Sequence, residues 1–237
     1  MDSVLERRAD AYLATLRGAF DPALDAVAQV RSGRAIVKAK AFSDNIVFSV
    51  PIRGDAEDEL FMVIRAVALF QSTFALKGFF IRGSIVIGSH HMDKELVFGE
   101  AIIEAYREEQ DTAVNPRVIL SLSAVSSLAK HREKYEGSGF PQGVLLLTDV
   151  DGKLFVHYLA ALGTSLGLAP AAEKVNLHRD QVARQLQLHA QQPTIWTKYV
   201  WVARYHNFCC GLWKMPTESR IADATINADP QPMKLGT

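Results

Sequence analysis

Three segments of this 237-residue chain set charged or polar groups among apolar strand and helix formers. Lys40 to Ser49 holds Asp44 and Asn45, Phe80 to Gly88 holds Arg82 beside Gly83, and Phe98 to Glu109 holds Gly99, Tyr106 and Arg107. A charge withdrawn from water costs several kcal/mol unless it gains a partner or a metal. Asp44, Arg82 and Arg107 are therefore the residues from which chemistry is expected, a carboxylate suiting a cation and a guanidinium suiting a planar anion. Each also has a structural reading. Asp44 lies in Ser43, Asp44 and Asn45, residue types that cap their own turns. Arg82 can pair with a carboxylate across a sheet, and Arg107 can lie on a solvated helix face.

Other constellations carry less. His90, His91 and Asp93 include metal-ligand types, but neighbours in a loop point apart and no further ligand follows at metal-site spacing, so a solvated loop is expected. Asp149 and Asp151 precede Gly152 as a turn does and are assigned to structure, with His157 and His206. The two cysteines, Cys209 and Cys210, are adjacent, where a disulfide is strained, which points to a reduced, cytoplasmic protein.

The elements that would position these residues follow from periodicity. Residues 2 to about 31 read as helix, broken near Asp21 and Pro22 into two pieces. Ala35 to Ile52 reads as strand, tight turn and strand, with one continuous strand as the alternative. Leu60, Ile64, Val67, Gln71 and Phe74 mark an amphipathic helix over 56–77 with Gly78 just past it. Phe79 to Gly88 and Leu96 to Phe98 are expected to pair antiparallel around a polar loop, ahead of a helix that opens near Gly99. Pro116 to Ser123 reads as strand, Ala124 to Lys134 as helix, Gly137 to Gly143 as loop and Val144 to Leu147 as strand. Helices are expected over Ala171 to Gln192 and Ile195 to Trp213.

Hydrophobic residues at 49% and charged residues at 22% suit a globular chain and argue against extensive disorder. Lys and Arg balance Asp and Glu for a net charge of zero, so no overall field recruits nucleic acid or an anionic membrane. The N-terminus has no secretory apolar stretch, and no later run has the apolar length of a membrane span.

With the run from Asp149 to Leu159 and the run from Lys198 to Asn207, the three opening segments form an ordered set that resembles the Pycsar pyrimidine nucleotide cyclases. These are bacterial anti-phage relatives of the class III adenylate and guanylate cyclases, and the resemblance covers roughly residues 1 to 210. It implies an α/β (α+β) fold with a ferredoxin-type antiparallel sheet: a catalytic domain over 1–165, a C-terminal helical extension over 166–215 packed on it, and a disordered tail over 216–237. It also implies a homodimer that cyclises UTP, or CTP, with Mn2+ or Mg2+ at a two-metal site, the product acting on a separate cyclic-nucleotide-sensing effector. Phosphoryl transfer of this kind rests on positioning and on neutralised phosphate charge.

The resemblance gives the residues roles beside their plainer ones. Asp44 matches a metal-holding carboxylate. Lys40 could face the nucleobase or be an exposed strand lysine, Phe42 could line the base pocket or the core, and Asn45 belongs to the same nucleotide site. Arg82 could hold triphosphate oxygens, and Gly99 could open a helix whose amides face phosphate or simply begin that helix. Arg107 falls where class III cyclases carry a transition-state arginine, although Ile103 stands in place of their asparagine and Glu108 in place of their leucine. Lys40 is also what would favour a purine cyclase, and a catalytically inactive nucleotide-binding or dimerisation module is the reading from another class. The family's first strand, which carries the other metal carboxylate, has no counterpart before Asp2, and Met1 is expected to be an internal methionine of a longer protein.

Overall fold

The computed structural model describes residues 2–32, 35–42, 45–135, 139–165, 168–222 and 231–232. The chain is mixed helix and sheet, as expected. Helix α1 (Asp2–Ala28) leads into a short hairpin of β1 (Arg31–Ser32) and β2 (Ala35–Ile36), and then a longer one of β3 (Lys38–Phe42) and β4 (Asn45–Ser49). Helix α2 (Glu57–Ala75), strand β5 (Gly83–Ile85), a hairpin of β6 (His91–Met92) and β7 (Val97–Phe98), and helix α3 (Glu100–Asp111) follow. The second half runs β8 (Val118–Leu120), α4 (Leu122–Arg132), β9 (Leu146–Thr148), β10 (Leu154–Val156), α5 (Ala172–Leu188), α6 (Pro193–Leu212) and β11 (Gln231–Pro232).

Helix α1 is continuous, which corrects the expected break at Pro22. Proline removes one amide and one intrahelical bond, the one that would reach Gly18. The helix carries through because Ala19, Ala23 and Val27 are buried against Met62, Ala66, Phe70 and Phe74 of α2. Phe70 is fully buried and stacks on Phe74 at 4.4 Å between ring centres, with Phe20 and Phe48 edge-on to it. Truncating such a phenylalanine to alanine costs about 3 to 5 kcal/mol.

Helix α2 matches its periodicity: Leu60, Ile64, Val67, Gln71 and Phe74 are all buried. It ends where Gly78 takes a φ of 86°, the left-handed conformation glycine adopts freely, and the Phe79 amide donates back to the Phe74 carbonyl.

The main sheet has the order β11, β9, β10, β8, β5. Its steps are antiparallel except the last, where β5 pairs parallel with β8 in the register Gly83 to Val118. The expected antiparallel partnership of 79–88 with 96–98 is therefore corrected: α3 lies between β5 and β8 and supplies the crossover that a parallel pair requires. Met92 and Val97 close the separate β6–β7 hairpin.

Residues of the central strands alternate between two helical layers. Val118, Leu120, Leu146, Leu154 and Val156 pack toward α2 and α4, whereas Ile119, Leu147 and Phe155 pack toward α6. Burial on both faces explains why these strands read as unbroken apolar runs. The helices expected as an extension form this second layer. The tail expected to be disordered from 216 is packed through 221: Ile221 exchanges two hydrogen bonds of 2.8 Å with the Asn207 side chain, and the Ser219 carbonyl meets His206. Among the described residues, no helix is long and apolar enough to cross a membrane.

Candidate functional site

A cavity of about 960 Å3 lies between β4 and the segment containing β5. The β3–β4 hairpin exists because two short apolar-rich stretches flank turn-forming residues; its register pairs Phe42 with Asn45, and Ser43 and the expected metal ligand Asp44 lie outside the described residues. Phe42, Asn45 and Arg82 all line the cavity, so the structure brings three of the expected site residues together. Phe42 is 43% exposed and thus has a free ring face to offer.

Arg82 is already engaged. Its Nε lies 3.2 Å from Glu109 Oε1, and its terminal nitrogens donate to the carbonyls of Glu109 and Ala113 and to Gln110 Oε1. All four acceptors sit at the C-terminal end of α3, where a cation satisfies unpaired carbonyls and the helix dipole. The carboxylate partner comes from a helix and not from across the sheet.

Lys40 does not line the cavity; its Nζ donates to the Asp93 carbonyl at 3.2 Å, joining the long hairpin to the β6–β7 loop. Gly99 opens α3 with a φ of 135°, and a Cβ there would sit 2.6 Å from His90 Cα. The Ala101 amide behind it donates to the Ser89 carbonyl at 3.1 Å, so the glycine serves close backbone packing. Arg107 faces a shallow recess with Glu100, Glu104, Glu108 and Asp111, while Tyr106 and Glu109 of the same helix face the cavity. Helical phase separates Arg107 from the other site residues.

The two histidines diverge as expected. His90 Nε2 and Ser49 Oγ share a hydrogen bond of 2.5 Å, tying the end of β4 to the loop after β5. His91 bonds Asp93 at 2.8 Å, and this bond together with the amides of Leu96 and Glu95 holds the Asp93 carboxyl well below the usual carboxylate range.

A resident divalent cation finds no donor set among the described residues, where no three His, Cys, Asp or Glu side chains converge. The carboxylates that line the cavity are taken: Glu59 accepts from the Arg53 amide at 3.1 Å, and Glu109 holds Arg82.

Sequence reasoning missed Arg117. Its side chain is 2% exposed, ion-paired with Asp149 and Asp151, and lies 5.8 Å from the ring centre of Trp201, whose Nε1 donates to Asp149 at 2.7 Å. An arginine placed directly before the apolar run Val118 to Leu120 marks only that a partner is required. Tyr158, His178, His206 and Ser219 form a second buried chain, with 2.9 Å from Tyr158 to His178 and 3.0 Å between the two imidazoles. Burial pushes His157 down to about 3 and lowers His178 and His206 as well.

No family model matches the chain, and neither a curated protein nor a solved structure matches it. The arrangement itself supplies an apolar cavity with an aromatic ring, an amide and a guanidinium on its walls.

Proposed function

We propose that this chain is a nucleotide cyclase of the Pycsar type that converts UTP, or CTP, into its 3′,5′-cyclic monophosphate. The observation that carries the reading is the convergence of Phe42, Asn45 and Arg82 on one cavity, at the hairpin that also contains Asp44. In this reading Phe42 packs against the base and Asn45 hydrogen-bonds it, while Arg82 exchanges its α3 acceptors for triphosphate oxygens. The ribose 3′-hydroxyl attacks the α-phosphorus, its proton leaves, and the bond to pyrophosphate breaks. Mn2+ or Mg2+ would neutralise phosphate charge, with Asp44 as its assigned ligand. A homodimer and an effector responding to the cyclic product in anti-phage defence belong to the same proposal, as does a cytoplasmic location.

Incubating the purified chain separately with UTP, CTP, ATP and GTP in the presence of Mn2+ tests it. Cyclic UMP or cyclic CMP appearing in step with pyrophosphate is the expected result. Cyclic AMP or cyclic GMP would move the reading to a purine cyclase.

A catalytically inactive nucleotide-binding or dimerisation module is the second reading. Two placements favour it: Arg82 is held by α3, and Arg107 lies away from the cavity. It expects nucleotide binding without release of pyrophosphate from any of the four substrates.

A further inference from the structure

We propose that Glu109 is an autoinhibitory group: with the carbonyls at the end of α3 it occupies Arg82 in place of a polyphosphate, and the anion must unlatch that helix end to bind. The inference deepens the cyclase reading and rests on it for the class of anion.

The oxygens around Arg82 imitate a cluster of phosphate oxygens. Nε meets Glu109 Oε1 at 3.2 Å, one terminal nitrogen donates to the carbonyls of Glu109 and Ala113 at 3.2 and 3.5 Å, and the other donates to Gln110 Oε1 at 3.4 Å. Every nitrogen of the guanidinium is thus taken by one helix end, and the grip is loose. Charge-assisted guanidinium bonds of full strength run at about 2.7 to 2.9 Å, often through both carboxylate oxygens. Glu109 instead meets the guanidinium through Oε1, and the same oxygen accepts from the Gln110 side-chain amide at 3.4 Å. A phosphate group presents two oxygens side by side to the planar fork. The Arg82 and Glu109 side chains are 29% and 21% exposed, so water rehydrates the carboxylate and carbonyls once they are released.

Helix α3 yields readily at this end. Of its twelve residues only Ala101 is buried. Ala101 sits against Gly88, where any Cβ would crowd it at 3.2 Å, and its amide donates to the Ser89 carbonyl, so the N-terminal end is pinned. Further along, Ala105, Tyr106 and Glu109 face the cavity and not a packed core. A segment with so little buried apolar surface opens locally with ease. In its last turn the amides of Thr112 and Ala113 both donate to the Glu108 carbonyl, at 3.0 and 2.9 Å, while Arg82 holds the carbonyls of Glu109 and Ala113 beside them. When the guanidinium turns to an anion, that turn frays and Ala101 stays fixed. An anion that reaches Arg82 therefore loosens the helix joining the β6–β7 hairpin to β8.

Inorganic tripolyphosphate, titrated calorimetrically onto the full chain, is the probe, with Glu109→Gln and Arg82→Gln beside it. Glu109→Gln keeps an acceptor oxygen but removes the competing charge, and should bind about two- to fivefold more tightly than the native chain, the range that a partly exposed ion pair allows. Binding seen only in Glu109→Gln is the same result in its extreme form. Arg82→Gln should weaken binding about tenfold or more. Hydrogen exchange at the Thr112 and Ala113 amides of the native chain should accelerate about threefold or more at saturating tripolyphosphate, a readout that needs no variant. Unchanged or weaker binding by Glu109→Gln, unchanged exchange at 112 and 113, or no binding by either protein overturns the latch. Failure of the cyclase reading looks different: tripolyphosphate gives the latch results, yet none of UTP, CTP, ATP and GTP yields a cyclic product. A cyclic product formed at equal nucleotide affinity in the native chain and Glu109→Gln removes the latch and leaves the cyclase.

Discussion

Arg117 and Asp149 form an ion pair in the interior, their side chains 2% and 4% exposed. They join β8 to the β9–β10 turn, and Trp201 of α6 closes over both by donating to Asp149. Asp149→Asn leaves the guanidinium short of a buried partner and should cost about 3 to 5 kcal/mol, read as a lower urea midpoint at unchanged slope. A loss below about 1 kcal/mol would mean that the pair does not hold this junction together.

The buried imidazoles make stability fall with acid. His157, His178 and His206 have folded pKa values below the ordinary 6.5, burial being the first cause in each case. Below pH 6.5 the unfolded chain takes up protons that the folded one refuses, so stability is full above that pH and declines as pH drops toward the folded values. For His157 the window runs from 6.5 to about 3. Each histidine contributes a slope approaching about 1.4 kcal/mol per pH unit. Urea titrations at pH 7.5, 6.5 and 5.5 should show the decline, and His157→Gln should flatten it.

Much of this frame was legible in the sequence, and what was not has physical causes. The apolar spacing of α2 needs no tertiary information, and the β3–β4 hairpin follows from flanking turn residues, so both were expected where they stand. Strand direction is not written in an apolar run: the parallel step from β5 to β8 depends on α3 crossing over the sheet. The face of Arg107 depends on helical phase against a cavity whose other walls lie tens of residues away in sequence. Burial of Arg117 depends on carboxylates at 149 and 151, which spacing alone does not bring near it.

Ala56 holds a φ of 69° at the N-terminus of α2, a conformation that costs a residue with a Cβ about 1 kcal/mol or more. Ala56→Gly relieves it and loses one small buried methyl group. A rise in thermal midpoint corresponding to a few tenths to about 1 kcal/mol is expected, and calorimetry of the two proteins side by side is the check.

Removing Arg82 should act twice. Arg82→Ala takes a cation from the C-terminal end of α3 and should destabilise by about 1 kcal/mol, since the group is partly exposed. Under the cyclase reading it should also weaken nucleotide binding at least tenfold, measured by calorimetric titration at a temperature where both proteins are folded. Stability loss with unchanged binding would confine Arg82 to its structural role.

Asp44→Ala separates the two functional readings. It should abolish any Mn2+-dependent release of pyrophosphate if the chain is a cyclase, and leave nucleotide binding unaltered if the chain is an inactive module.

The parallel step has a consequence for the order of folding. The β9–β10 turn pairs Thr148 with Leu154, a local closure that forms on the microsecond scale. Pairing Gly83 with Val118 must wait for the β6–β7 hairpin and α3 to be gathered in between, and long loop closures of this kind slow a chain's collapse to its native state. The rate-limiting event on the way to the native protein should thus be the docking of β5 on a preassembled β8–β10–β9 ribbon.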